Sequence, residues 1–125
     1  MFETGIDIVD IHRIEKSITT YGHAFLKKIY HPLEVEYCSD KKGKFEHFAV
    51  RFAAKEAVRK VLLSRLSFNP SWTETYIVNE KDGKPTLKLS DRILKEIQFT
   101  HVSISLSHTR SHAIASVIME FGERL

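Results

Sequence analysis

At 125 residues, with 42% apolar and 28% charged side chains, the chain has the size and make-up of one ordinary globular domain, spanning 1–125, that can bury a core. No apolar run approaches the roughly 20 residues that span a bilayer, and Met1-Phe2-Glu3-Thr4 lacks the basic stretch of a signal peptide, so no membrane contact and a cytoplasmic location are expected. Cys38 is the one cysteine, which excludes an intrachain disulfide and a cysteine zinc site. The net charge of +3 mildly favours acidic partners: nucleic acid, phosphorylated small molecules or an acidic protein.

Ile6, Ile8, Val9 and Ile11 form a β-branched run that predicts an opening strand, interrupted by Asp7 and Asp10. A carboxylate between two isoleucines needs a compensating charge or a metal unless it faces solvent on an edge strand or caps a turn. Period two puts Gly5 on the face of Asp7, where the missing side chain leaves space that a ligand could use. The spacing of Ile11, Ile14 and Ile18 then predicts a helix ending between Thr19 and Gly22. Ala24 to Tyr30 forms a short amphipathic turn or helix stopped by His31-Pro32, and another helix starts at Pro32 with Glu34 and Glu36 in its first turns. Lys41-Lys42-Gly43-Lys44 is a basic loop, either a solvated turn or a phosphate contact.

No glycine or proline interrupts Phe45 to Ser67, and Ala49, Ala53, Ala57 and Val61 recur every fourth residue, so a central helix is predicted with a small-residue seam that lets another backbone come close. Beside the seam, Glu56 lies four residues after Phe52 and four before Lys60, a column that reads either as a solvated ion pair or as the wall of a site. After a break at Phe68-Asn69-Pro70-Ser71, a strand is predicted over Trp72 to Val78, then a turn over Lys81-Asp82-Gly83-Lys84-Pro85 and a returning strand over Thr86 to Leu89. Ser90 suits the N-cap of a helix through Ile97. The clearest alternation follows: Val102, Ile104 and Leu106 against Ser103, Ser105 and Ser107. A His108-Thr109-Arg110-Ser111 turn and a strand over Ala113 to Met119 complete a hairpin whose serines are either its wet side or a set of donors. Strand, helices, hairpin, helix and hairpin in that order make an α+β fold with an antiparallel sheet packed against a long central helix.

Gly5-Ile6-Asp7-Ile8-Val9-Asp10-Ile11-His12-Arg13-Ile14, Arg51-Phe52-Ala53-Ala54-Lys55-Glu56-Ala57 and His101-Val102-Ser103-Ile104-Ser105-Leu106-Ser107-His108-Thr109 resemble, in this order and spacing, the three motifs of the holo-acyl-carrier-protein synthases. Glu34 to Cys38, Trp72 and Asp82-Gly83-Lys84-Pro85 also match the places of similar residues in that family. The resemblance implies the trimer-forming 4'-phosphopantetheinyl transferase fold and a transfer of the phosphopantetheine arm of coenzyme A to a serine of an apo acyl carrier protein, for fatty acid biosynthesis, releasing adenosine 3',5'-bisphosphate. It further implies that Asp7 and Glu56 hold Mg2+, which typically takes one or two protein carboxylates and completes its shell with phosphate and water. Lys60 would contact the same phosphates, and Glu56, or a metal-bound water that it positions, is the candidate base. Similar residues in the family's coenzyme A site, built between subunits, are Arg51, Lys60, Lys84, Pro85, Ser107, His108 and Thr109. Carrier docking would use Arg13, with Ile14, Phe25 and Phe52 nearby, and the basic balance would steer an acidic carrier.

Where the family usually carries a glycine-rich segment after the lysine, this chain reads Val61-Leu62-Leu63-Ser64-Arg65-Leu66-Ser67. The central helix is therefore expected to run about one turn past Lys60, with Arg65 either reaching a phosphate or pointing into solvent. Two other classes fit less well: a transferase-like protein without activity, and a basic nucleic-acid-binding module, for which no strand interleaves aromatic residues with arginine.

Overall fold

The computed structural model describes residues 1–122; the last three residues of the expected 1–125 domain lie outside the described residues. Its elements are β1 (Phe2–Asp10), α1 (Ile11–Tyr21), α2 (His23–Ile29), α3 (Pro32–Ser39), α4 (Lys44–Leu62), a 3-10 turn (Trp72–Glu74), β2 (Thr75–Asn79), β3 (Pro85–Leu89), α5 (Asp91–Glu96), β4 (Phe99–His108) and β5 (His112–Phe121). One antiparallel sheet has the order β1-β5-β4, and β2 pairs with β3 in a second.

Strand β1 gives way to α1 at Asp10, whose carboxylate accepts from the backbone N–H of His12 at 2.9 Å and of Arg13 at 3.4 Å; Ile11 therefore opens the helix rather than continuing the strand. Trp72–Glu74 departs from the strand expected there. Glu74 folds back to accept from the Ser71 backbone N–H at 2.7 Å and holds Arg92 at 2.7 Å, and this local cap overrides the β preference of Trp72 and Thr73.

The seam of α4 is buried as its spacing predicts: Ala49, Ala53, Ala57 and Val61 all lie in the core, against Val9 of β1 and Ala113, Ala115, Val117 and Met119 of β5. Closest approach is at Gly5. A Cβ there would overlap the carbonyl oxygen of Ala57 and stand 3.1 Å from Val61 Cγ2. The space beside Asp7 expected to admit a ligand is thus filled by the helix itself. Gly5→Ala is expected to cost about 3 kcal/mol, the upper end for overpacking because the obstacle is backbone; urea denaturation would read it, and a loss below about 1 kcal/mol would mean that β1 slides freely.

A second anchor is polar. Lys55 on α4 and Glu34 on α3 are 1% and 0% exposed and paired at 2.7 Å. Lys55 Nζ also donates to the carbonyls of Trp72, at 3.1 Å, and Thr75, while Glu34 accepts from the backbone N–H of Ile77 at 2.9 Å and of His31 at 3.0 Å. This network ties α3, α4 and β2 together. Burial lowers the pKa of Lys55, and the adjacent Glu34 carboxylate opposes that shift. Cys38 is fully buried and its thiol is pushed up to about 12, chiefly by burial, in line with a packing role.

Candidate active site

Because Gly5 rests on Ala57, β1 passes beside α4 at the turn that carries Glu56. Residues 3, 5, 7 and 9 of β1 turn toward the helix, so Asp7 is half-buried on that side. Lys60, one turn beyond Glu56, does not complete the expected column. Its ammonium lies 3.1 Å from Asp7 Oδ1 and 2.8 Å from the carbonyl oxygen of Ile6. Glu56, partly exposed, takes no hydrogen bond or ion pair among the described residues. Asp7 and Lys60, from distant segments, thus meet on the β1 side of α4, with Glu56 one helical turn before Lys60.

A separate cleft of about 390 Å³ opens on the β4 side of the same helix. Four residues of the predicted coenzyme A set, Arg51, Pro85, Ser107 and His108, line it, together with Tyr37, His47 and Asn79. Lys84 adjoins Pro85 in the turn that Gly83 makes at φ 87°, a conformation that favours glycine. Thr109 is occupied: its hydroxyl accepts from the backbone N–H of Ser111 at 3.3 Å and of His112 at 3.1 Å, which closes the β4–β5 turn. Asp7, Glu56 and Lys60 are not among the residues lining this cleft. Asp7 pairs in register with Ala115, which pairs with Leu106 on the cleft wall, so the two regions lie roughly 10 Å apart, two strand spacings.

The cleft has a cationic wall. Arg51 is buried, stands 4.4 Å over the Tyr37 ring, donates to the His47 carbonyl at 3.3 Å and to Asn79 Oδ1, and leaves Nε without a partner among the described residues. His47, edge-on to Tyr37 at 5.7 Å, has its pKa lowered, first by burial and then by Arg51, Lys41 and His108. Sequence inspection missed His47 and Asn79. Only for His47 was a signal present, its place one helical turn before Arg51.

The residues expected to dock a carrier are spread over exposed and buried positions. Arg13 is exposed, Phe25 packs edge-on to Tyr30 at 6.2 Å, and Phe52 stacks on Trp72 at 5.3 Å. Ile14, expected as a nearby apolar contact, is 3% exposed and belongs to the core, where the helical spacing of Ile11 and Ile14 carries it. Arg65 meets neither expectation for it. Helix α4 stops at Leu62, the backbone turns through Leu66, and Arg65 Nε donates to Glu3 Oε2 at 2.8 Å with its guanidinium 3.6 Å from the Phe121 ring centre. Arg65→Ala is therefore expected to lower stability by about 1–2 kcal/mol, one surface ion pair plus one cation–π contact, and to leave the Michaelis constant for coenzyme A unchanged. A raised constant with unaltered melting would restore the phosphate contact.

A long helix laid across an antiparallel sheet, with Glu56 on the helix and Asp7 on the edge strand beside it, is the frame of this site. Residues 3–117 match the sequence pattern of the 4'-phosphopantetheinyl transferase superfamily, to which this chain belongs. It is 42% identical over 118 residues to the holo-[acyl-carrier-protein] synthase of Chloroherpeton thalassium, covering 94% of this chain and 97% of that one. Among solved structures it is similar to the holo-[acyl-carrier-protein] synthase of Helicobacter pylori in complex with coenzyme A (TM-score 0.79, 30% identity, 94% of this chain and 100% of that one). The Bacillus anthracis enzyme in complex with CoA (3',5'-ADP) is another such neighbour (TM-score 0.76, 31% identity, 95% and 96%).

Proposed function

We propose that this protein is a holo-acyl-carrier-protein synthase that acts as one domain over 1–125, moving the 4'-phosphopantetheine arm of coenzyme A to a serine of an acidic apo acyl carrier protein in the cytoplasm, for fatty acid biosynthesis. The observation that carries this is the Lys60–Asp7 pair across the Gly5–Ala57 contact, with Glu56 one helical turn before Lys60. No helix among the described residues is long and apolar enough to cross a membrane.

The donor set suits Mg2+. Asp7 and Glu56 are hard oxygen donors, and no group of three or more His, Cys, Asp or Glu side chains among the described residues could hold a metal alone. Two carboxylates with phosphate and water is the usual magnesium arrangement. When bound, the ion would offset charge on the pyrophosphate as the leaving group departs. Lys60, on a flexible stem at the same edge, would place an ammonium against those phosphates. Glu56, unpaired, is free to receive the serine proton directly or through water. Arg51, His47 and His108 would present donors to the anionic nucleotide part of coenzyme A, with Ser107, Lys84 and Pro85 on the rim and Thr109 holding the turn beneath. Arg13 on exposed α1, flanked by Phe25 and Phe52, would meet the carrier.

Acids and cleft on opposite sides of α4 suit a site shared between subunits. The outer face of β1 and β5 supports this. Ile6 and Ile8 are 59% and 62% exposed, and Phe2 and Ile118 extend the same apolar surface. We place this face inside a cyclic trimer. A mass-spectrometric assay with apo carrier, coenzyme A and Mg2+ tests the activity; no added phosphopantetheine mass, with RNA bound in a salt-dependent way instead, would favour the nucleic-acid alternative. Mixing Asp7→Asn chains with chains carrying His108→Ala is expected to restore part of the activity, and a monomer by sedimentation at working concentration would overturn the trimer.

A further inference from the structure

Lys60 has two carboxylates within its reach along the chain, and it is held by the one 53 residues away rather than by Glu56 one turn back. The contact has two arms, Asp7 Oδ1 at 3.1 Å and the Ile6 carbonyl oxygen at 2.8 Å, so the ammonium is seated between two oxygens of β1. Its side chain is 54% exposed and that of Asp7 19%. A cation placed there already takes one of the two carboxylates proposed to hold a metal. A divalent ion approaching Asp7 meets a like charge within a few ångströms, which disfavours its binding.

Exposure decides what can move. The backbone positions of Glu56 and Asp7 are fixed by the buried seam of α4 and by the Gly5–Ala57 contact, whereas the lysine stem has water on one side and several rotatable bonds. A pyrophosphate arriving at this edge supplies both missing pieces: oxygens to fill a magnesium shell, and an anion to which the ammonium can transfer. We propose that Lys60 is an internal counter-cation that guards Asp7, so that divalent metal enters the site only together with a pyrophosphate that draws the lysine away. This rests on Asp7 and Glu56 being the metal ligands. It makes metal and pyrophosphate reciprocally coupled, each raising the affinity of the other, with Lys60 as the positioning residue that sets the coupling.

The test reads metal binding and requires no turnover. Free Mn2+ is followed by electron paramagnetic resonance as the ion is titrated into the protein, with and without coenzyme A and with no carrier present. Wild type is expected to bind Mn2+ weakly alone and far more tightly with coenzyme A. Lys60→Met, an exposed change to a residue of similar length, is expected to bind Mn2+ alone at least about 5-fold more tightly than wild type, the lower end of coupling between sites, and to gain less from coenzyme A. Mn2+ affinity in Lys60→Met equal to or below that of wild type without coenzyme A overturns the guard. Asp7→Asn separates the two layers of the inference. If it abolishes Mn2+ binding in the presence of coenzyme A while Lys60→Met behaves as wild type, the guard fails and the metal ligands stand. If Asp7→Asn binds Mn2+ as wild type does, the metal assignment falls and the guard with it.

Discussion

Asp7→Asn and Glu56→Gln are each expected to lower phosphopantetheine transfer by at least about 10³-fold while leaving the fold intact. Both changes keep volume and remove charge, so they take away metal-binding capacity without opening a cavity. Glu56 has no partner among the described residues to lose, and Asp7 gives up only a half-exposed pair with Lys60, worth about 1 kcal/mol or less. Thermal unfolding should therefore be nearly unchanged while the mass-spectrometric assay shows no modified carrier. Transfer near the wild-type rate by either variant at ordinary Mg2+ would sink the assignment of both carboxylates.

The largest effect on stability is expected at Lys55. Lys55→Met removes the only ammonium beside Glu34 among the described residues and leaves that carboxylate fully buried, which costs about 3–5 kcal/mol. A domain of this size has about 5–15 kcal/mol in total, so the variant should sit near the edge of unfolding, with a much lower urea midpoint. The double variant Glu34→Gln, Lys55→Met should recover a large part of the loss, because the stranded charge is gone. If the single variant loses less than about 1 kcal/mol, water or a rearranged partner is reaching Glu34.

Lys55 also shows where sequence stops short of structure. The alanine seam, the alternation of β4, the Asp82-Gly83 turn and the Ser90 cap were legible because each is a local pattern. The burial of Lys55 was not. Its neighbours Lys60 and Arg59 are equally basic, and what distinguishes it is Glu34, on another helix, which in sequence reads as an ordinary acid in a first turn. Arg65 is similar: its partner Glu3 is 62 residues away, and without that contact a guanidinium near a helix end reads as a phosphate ligand or a solvated cation. For Gly5 the missing side chain was legible but its use was not, since only the crossing of β1 and α4 shows that a carbonyl, and no ligand, takes the space. Asp7 and Glu56 are proposed from motif spacing, while the preference of Lys60 for Asp7 over Glu56 is decided by the packing of strand on helix.

The pairing of β1 has a consequence for how the protein comes into being. Phe2 is opposite Glu120 and Asp10 opposite His112, so β1 has no hydrogen-bonding neighbour until β5 exists. On the ribosome, helices α1 to α4 can form from near contacts, but Asp7 stays on an unpaired strand until β5 has left the exit tunnel. Sheet closure over so long a loop is the slow kind of step, and while it waits Val9, which the closed fold buries, stays open to chance encounters. Asp7, the acid on which the proposed chemistry depends, is thus placed only when β5 pairs with β1, and nascent chains stalled before β5 are expected to be inert however much helix they contain.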